Sequence, residues 1–331
     1  MQQEAVIKVI YQIITLALLG FTGYISGKSK YLPEDAGVIL SRIVIKLTAP
    51  LLIVTTMANY DFDSKTLRDG LTIYILGILF LLLAMLFGTL TSKGLRLQGA
   101  ASNMYVMLSM FGNVIFLAYP LLSSIYGEKG IIYAVFFNLS NDTLLWTLGV
   151  YLVNRHHTME WKSNLKHLIN GNTIAFSIGV LFVLTNLRTV INHSGPLAKD
   201  IYNLLFNTFN PLGKTTIYLS MLFIGLILSE VKISSFADLM KRYPLMILSL
   251  FKLLLVPVVA FLMLNLAGGV IDPFVKAIVV LQLAMPCGTI VPALAAQYDS
   301  DYKFATEGVF ISTLLGMVTL PVILNMILLF G

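Results

Sequence analysis

The residues of this chain that could do chemistry are few, and they stand in apolar surroundings. Two stretches interrupt runs long enough to cross a bilayer: MFGNVIFLAYP at 110–120 and MPCGTIVPAL at 285–294. In the first, Gly112 and Asn113 permit a break and Pro120 enforces it. In the second, Pro286 and Pro292 flank Gly288. Proline removes a backbone donor and clashes with the preceding turn. An unpaired backbone group in hydrocarbon costs several kcal/mol, so irregular backbone survives there only under cover of protein or a water-filled cavity. Each break exposes the N-terminus of a half-helix, with free N–H groups and partial positive charge. Such ends favour an anion, above all a carboxylate. Asn113 and Thr289 add neutral hydrogen-bonding groups. For one span a ligand-free kink explains as much. Two spans at matching positions favour a binding site.

Ionisable residues inside apolar spans are costly and often functional. Asp142 lies in NLSNDTLLW with Asn138 and Asn141 beside it. The patch suits a proton relay or a bound cation; the plainer alternative is a structural carboxylate paired with a base. Lys214, in NPLGKTTIYLS, either counters a substrate carboxylate or pairs with Asp142, and both stay open. Arg42 and Lys46, four residues apart, share a helix face. Arg42 suits snorkelling to the headgroups, and Lys46 lies deeper. Glu307 reads as interfacial, and nothing in the sequence decides Lys252. Enzyme signatures are missing: neither HExxH nor GxSxG occurs, and GEKG at 127–130 lacks the spacing of a phosphate loop. His156 and His157 have no ligand-spaced partners, so no metal and no cofactor is expected. Cys287, the one cysteine, rules out an intrachain disulfide and reads as a small apolar filler.

The elements that must position these residues are membrane helices. Of 331 residues, 57% are hydrophobic and 11% charged, against roughly 25% charged in a soluble domain. The mean hydropathy is +0.86. Almost the whole chain is expected to lie in the bilayer, and its first apolar segment reads as a span rather than a cleaved signal. The net charge of +6 belongs to loops, not to nucleic-acid binding. Ten spans are expected, roughly 5–27, 37–59, 70–92, 102–125, 129–153, 171–190, 202–228, 241–267, 273–298 and 304–330. Eleven Lys and Arg follow odd-numbered spans and seven fall on the other side. That bias places both termini outside the cell, with the basic stretch RHHTMEWKSNLKH in the cytoplasm.

The fourth and ninth spans share a pattern. At an offset of 172, Pro120 matches Pro292, Leu122 matches Leu294, Tyr126 matches Tyr298 and Ser140 matches Ser312. Pro50 and Pro211 are expected to interrupt the second span of each half. Five spans per half give opposite orientations. The expected fold is therefore an all-α integral membrane protein: an inverted five-plus-five repeat with crossed broken helices 4 and 9. Residues 1–153 form the first repeat, 154–170 a basic cytoplasmic linker and 171–331 the second repeat.

Asn113, Phe116 and Pro120, followed by Tyr126, Gly127 and Gly130, resemble the fourth-span motif of the auxin efflux carrier family. Met285 and Pro286, then Ala295 and Tyr298 before DSD, with STLL at 312–315, resemble its ninth and tenth spans. KLLLVP at 252–257 resembles its eighth span and LFIGLIL at 222–228 the end of its seventh. The resemblance covers essentially the whole chain. It implies ten helices, crossed broken helices that bind an organic anion, and bacterial relatives like malate or malonate permeases. The family often has glycines near Ile115 and Ala118, where this chain is bulkier. The long loop of many plant members is missing.

The expectation is a secondary transporter of small carboxylates in the plasma membrane, working by alternating access. Its substrate site holds Gly112, Asn113, Pro120, Pro286, Gly288, Thr289, Pro292 and Lys214, with Asp142 and Asn141 relaying a proton. Proton or sodium coupling and a homodimer go with such carriers. The alternative is a membrane-embedded carboxylate sensor that binds without transport.

Overall fold

The computed structural model describes residues 2–33, 35–60, 63–154, 169–185, 187–230 and 242–330. Most of the expected basic linker, including His156, His157 and Trp161, lies outside the described residues. Every regular element among the described residues is helical, and no strand occurs among them. Five helices are long and apolar enough to cross a membrane unaided: Ala36–Asn59, Ser64–Gly94, Pro196–Ser229, Tyr243–Leu266 and Tyr302–Leu329. The chain divides into two compact units, each assembled from both halves of the sequence.

The first unit comprises Met1–Arg68, Ile115–Val135 and Ile169–Glu230. It holds α1 (Gln2–Lys28), α2 (Ala36–Ile43), α3 (Ala49–Asn59), the beginnings of α4 (Ser64–Gly94) and α6 (Ala118–Leu144), α8 (Gly171–Leu184), α9 (Leu187–His193) and α10 (Pro196–Glu230). α1 packs along α10. A Cβ on Gly225 would strike the backbone of Gly20 and Tyr24, so small residues let these helices approach closely. Asn170 starts α8 with a capping box. Its side chain accepts from the N–H groups of Asn172 and Thr173, and its own N–H donates to Thr173 Oγ1 at 2.8 Å. Gly127 has φ +64 and bends α6 there, a conformation that favours glycine.

The second unit comprises Asp69–Val114, Phe136–Leu168 and Val231–Gly331. It holds the rest of α4 and α6, with α5 (Gly99–Met110) and α7 (Val150–Val153). To these it adds α11 (Tyr243–Leu250), α12 (Val256–Leu266), α13 (Pro273–Leu283), α14 (Ile290–Gln297) and α15 (Tyr302–Phe330). α15 is the common support, packing against α11, α14 and α5. Ser140 Oγ ties α6 to α4 by donating to the Tyr74 carbonyl at 2.8 Å. Asp272 starts α13, accepting from Phe274 N–H with Pro273 in the first turn.

The prolines act differently from the sequence expectation. α10 runs through Pro211 without a break. Pro50 leaves its span continuous: α2 and α3 are joined by a π-helical turn, Val44–Thr48. A second such turn, Phe251–Leu255, joins α11 to α12 two residues before Pro257. There the Val256 N–H reaches back five residues to the Phe251 carbonyl. An i→i−5 turn absorbs the donor that proline lacks without ending the helix. The expected sixth span is also shorter. α8 stops at Leu184, where Thr185 turns its N–H and its hydroxyl onto the Leu181 carbonyl. Its 14 residues reach about 21 Å, less than the roughly 30 Å of a bilayer core.

Candidate functional site

The site lies in the second unit, where two interrupted segments are hydrogen-bonded to each other. The first begins where α5 ends at Met110. Were the helix continuous, the carbonyls of Ser109 and Met110 would accept from the N–H groups of Asn113 and Val114. Both donors are engaged elsewhere. The Asn113 N–H donates to the Pro286 carbonyl at 2.8 Å, and the Val114 N–H to the Gly112 carbonyl at 2.9 Å. In return the Gly288 N–H donates to the Phe111 carbonyl at 2.9 Å. Gly112 and Cys287 thus face each other as an isolated antiparallel bridge. A Cβ on Gly288 would lie 2.8 Å from the Gly112 carbonyl oxygen, so glycine is required for the approach. At Gly112 the nearest atom would be 3.4 Å away, ordinary contact.

The carbonyls orphaned by this exchange are those of Ser109 and Met110. Lys252 takes both: its Nζ donates to Ser109 O at 3.1 Å and to Met110 O at 3.2 Å. The side chain is 3% exposed. It comes from the π-helical turn before Pro257. A buried ammonium thus sits at the negative end of a half-helix, where a cation is favoured.

The second interruption follows α13. The Ala284 N–H donates to the Val280 carbonyl at 3.0 Å and the Met285 N–H to the Gln282 carbonyl at 3.3 Å. Pro286 has no N–H, and its carbonyl serves Asn113. The Cys287 N–H donates to Ser312 Oγ at 3.0 Å, and Ser312 in turn donates to the Val309 carbonyl at 3.0 Å. α14 then starts at Ile290. Thr289 is its N-cap, and the Thr289 side chain makes no capping bond. Phe111–Val114 and Met285–Gly288 are buried throughout.

The expected site residues therefore separate into groups. Gly112, Asn113, Pro286, Gly288, Thr289 and Pro292 all belong to the second unit. Pro120 and Lys214 belong to the first. Pro120 does not make the break: it is the third residue of α6, as Pro292 is the third of α14. The first turn of a helix tolerates proline because its N–H groups are unpaired there anyway. Lys214 pairs with Glu128, Nζ to Oε1 at 3.7 Å, and both side chains are substantially exposed. Asp142 is buried in α6, accepting from Asn138 Nδ2 at 3.5 Å. Asn138 Oδ1 and Asn141 Oδ1 are buried without a hydrogen-bond partner among the described residues. Glu307 pairs with Arg242.

Two side chains that hold the interrupted segments escaped the sequence reading, Lys252 and the Ser312 hydroxyl. A lysine in an apolar span that carries no acidic residue is the signal that could have found Lys252. Nothing local marks Ser312 beyond its match with Ser140.

Residues 5–324 match the family described as membrane transport protein. An uncharacterised transporter of Methanocaldococcus jannaschii is 25% identical over 304 residues, covering 91% of this chain and 93% of that protein. An uncharacterised transporter of Methanothermobacter thermautotrophicus is 26% identical over 313 residues, covering 93% and 95%. With apolar helices of spanning length, a mutually bonded pair of breaks and a family match over nearly its whole length, the chain belongs to the membrane transport protein family, that of the auxin efflux carriers, and is a multi-pass membrane protein.

Proposed function

We propose that this protein is a secondary transporter of small organic anions, carboxylates such as malate, working by alternating access around the two interrupted segments. The observation that carries the proposal is the reciprocal bonding at Gly112 and Cys287. Two breaks at matching sequence positions hold each other, and they bring together features that suit an anion. These are the uncapped start of α14 at Thr289 and the Lys252 ammonium. Asn113, with its side chain on the same segment, supplies neutral hydrogen bonds to the substrate, and Gly112, Pro286, Gly288 and Pro292 shape the backbone around it.

An inverted five-plus-five repeat of ten spans, 1–153 and 171–331 joined by 154–170, fits this reading. In its favour, α6 and α14 begin at Ala118 and Ile290, the same offset of 172 that aligns the prolines. Asp142 is the candidate proton carrier, with Asn141 beside it in the chain, because it is a buried carboxylate within an apolar helix that accepts from Asn138. A plasma-membrane location with both termini outside, and a homodimer, complete the proposal.

The test is uptake of radiolabelled malate into proteoliposomes, with and without an imposed pH gradient. Saturable uptake is expected, and Asn113→Ala should lower it by about 10- to 100-fold, the worth of one buried hydrogen bond to a charged group. The variant should still insert, because the bridge uses the backbone of residue 113. Wild-type uptake in the variant would place the site elsewhere. Saturable malate binding with no flux under any gradient would make the protein a sensor.

A further inference from the structure

We infer that Lys252 is a resident cation: its ammonium occupies, at the C-terminal end of α5, the place where other carriers with broken helices bind a coupling metal ion, so this protein needs no sodium there. The inference rests on the interrupted segments being the working site, as proposed above.

The backbone supplies the first ground. Unwound carbonyls and the C-terminal ends of half-helices are the groups that coordinate Na⁺ in carriers built on broken helices. Here the interruption frees two such carbonyls, Ser109 O and Met110 O, because Asn113 and Val114 donate to Pro286 and Gly112 instead. Both freed oxygens point at one atom, Lys252 Nζ, at 3.1 and 3.2 Å. A metal ion on the same two oxygens would overlap the ammonium, so the two cations exclude each other.

The second ground is charge. Among the described residues, no carboxylate is within ion-pair distance of Lys252. The positive charge is met by carbonyl dipoles of the half-helix end rather than by a neutralising acid. It is therefore available to compensate an anion, which is the task a co-bound metal cation performs in a sodium-coupled site.

The third ground is the device that delivers it. Lys252 sits in the π-helical turn that precedes Pro257. Such a turn adds a residue to the helix and shifts the facing of every later side chain, and these turns recur at functional sites. From that turn the ammonium reaches the two carbonyls at the end of α5.

The experiment is thermal unfolding of the purified full-length protein in detergent, in NaCl, KCl or choline chloride at equal ionic strength. Wild type, Lys252→Ala and Lys252→Gln are compared. The wild type should unfold at the same temperature in all three salts, to within about one degree. Both variants should unfold earlier in choline. Sodium should then restore part of the loss by about 2–4 °C, the shift expected for roughly one kcal/mol in a chain of this size or somewhat smaller. Lys252→Gln is the variant safer to fold: its amide keeps a neutral donor for one carbonyl in choline and offers a third oxygen to a cation in sodium.

A wild type that gains from sodium as much as the variants would overturn the inference, because a separate metal site would then coexist with the lysine. Variants that ignore sodium would overturn it too, because the carbonyls would then need only a hydrogen-bond donor. Flux plays no part in the assay, so a protein that carries no malate still returns an answer on Lys252.

Discussion

The two interruptions match in sequence position but are closed by different chemistry. After α5 the freed carbonyls of Ser109 and Met110 are met by a charge, the Lys252 ammonium. After α13 the chain closes on neutral groups: Ala284 and Met285 donate back to Val280 and Gln282, and Cys287 donates to the Ser312 hydroxyl. The symmetry of the prolines therefore does not extend to electrostatics. One break holds a positive charge and the other holds none, and the bridge between Gly112 and Cys287 joins them within a few ångströms of backbone. A pair closed by neutral groups on both sides would have no net preference beyond the helix ends. The positive charge of Lys252, unpaired among the described residues, is what supports the proposal of an anionic substrate.

The bridge itself is asymmetric, and the largest effect on stability is expected there. A Cβ on Gly288 must displace the Gly112 carbonyl from 2.8 Å, whereas a Cβ on Gly112 finds its nearest neighbour at 3.4 Å. Gly288→Ala should destabilise the protein by about 3 kcal/mol, the upper part of the overpacking range, and Gly112→Ala by about 1 kcal/mol or less. Thermal unfolding of both variants in the same detergent checks the difference. Equal losses would mean that the two glycines do not play the unequal roles assigned here.

Ser312 tests the neutral closure. Its hydroxyl accepts from the Cys287 N–H and is itself buried. Ser312→Ala leaves that buried N–H without an acceptor, at about 1–2 kcal/mol. Ser140→Ala, at the matching position of the first half, removes a donor to the Tyr74 carbonyl instead. The Tyr74 carbonyl lies inside α4, where the helix itself supplies a donor, so the loss there should be smaller. If Ser140→Ala costs as much as Ser312→Ala, the hydroxyl at 312 supports helix packing rather than the break.

Much of this was legible in the residues. Gly112, Asn113, Pro286 and Gly288 mark irregular backbone because glycine and proline change what the chain can hydrogen-bond, and that property is local. What the prolines would do was less legible. Pro120 and Pro292 begin helices rather than end them, Pro211 lies inside an unbroken helix, and Pro257 follows a π-helical turn. A proline specifies only a missing donor. Whether the chain answers with a break, a start or an i→i−5 turn depends on which neighbour can take the freed carbonyl. That is a tertiary fact, as the partnership of Lys252 with residues more than a hundred positions earlier shows. The same holds for Lys214, whose partner Glu128 becomes a neighbour only through folding.

Helix starts sharpen the comparison further. α4, α8 and α13 each begin at a side chain that accepts from their first free N–H groups: Asp63, Asn170 and Asp272. α14 begins at Thr289, which does not. α2, α5 and α11 likewise begin without a side-chain cap, so what sets α14 apart is its place beside the buried bridge, where the Val291 N–H donates to the Gly288 carbonyl at 3.1 Å.

Asp63 provides the smallest and most easily read test of that contrast. Its Oδ1 accepts from the Thr66 hydroxyl and from the Thr66 N–H, each at 2.7 Å. The Thr66 hydroxyl, then the Thr66 backbone N–H, hold the carboxyl below the ordinary carboxylate range. A group whose folded pKa is depressed binds fewer protons folded than unfolded, so its contribution is complete above the unfolded value. It fades as pH falls through the folded value. Asp63→Ala should therefore lower the unfolding temperature slightly at pH 7, and the gap from wild type should close as the solution is acidified below the carboxylate range. Asp63→Asn keeps an acceptor but does not titrate, so its gap from wild type should be smaller at pH 7 and should change over the same pH range. If neither gap moves with pH, the carboxylate at α4 contributes a hydrogen bond alone. The negative charge at position 63 would then add nothing to the closing of α4, and the carboxylate would act there as the neutral Asn170 acts at the start of α8.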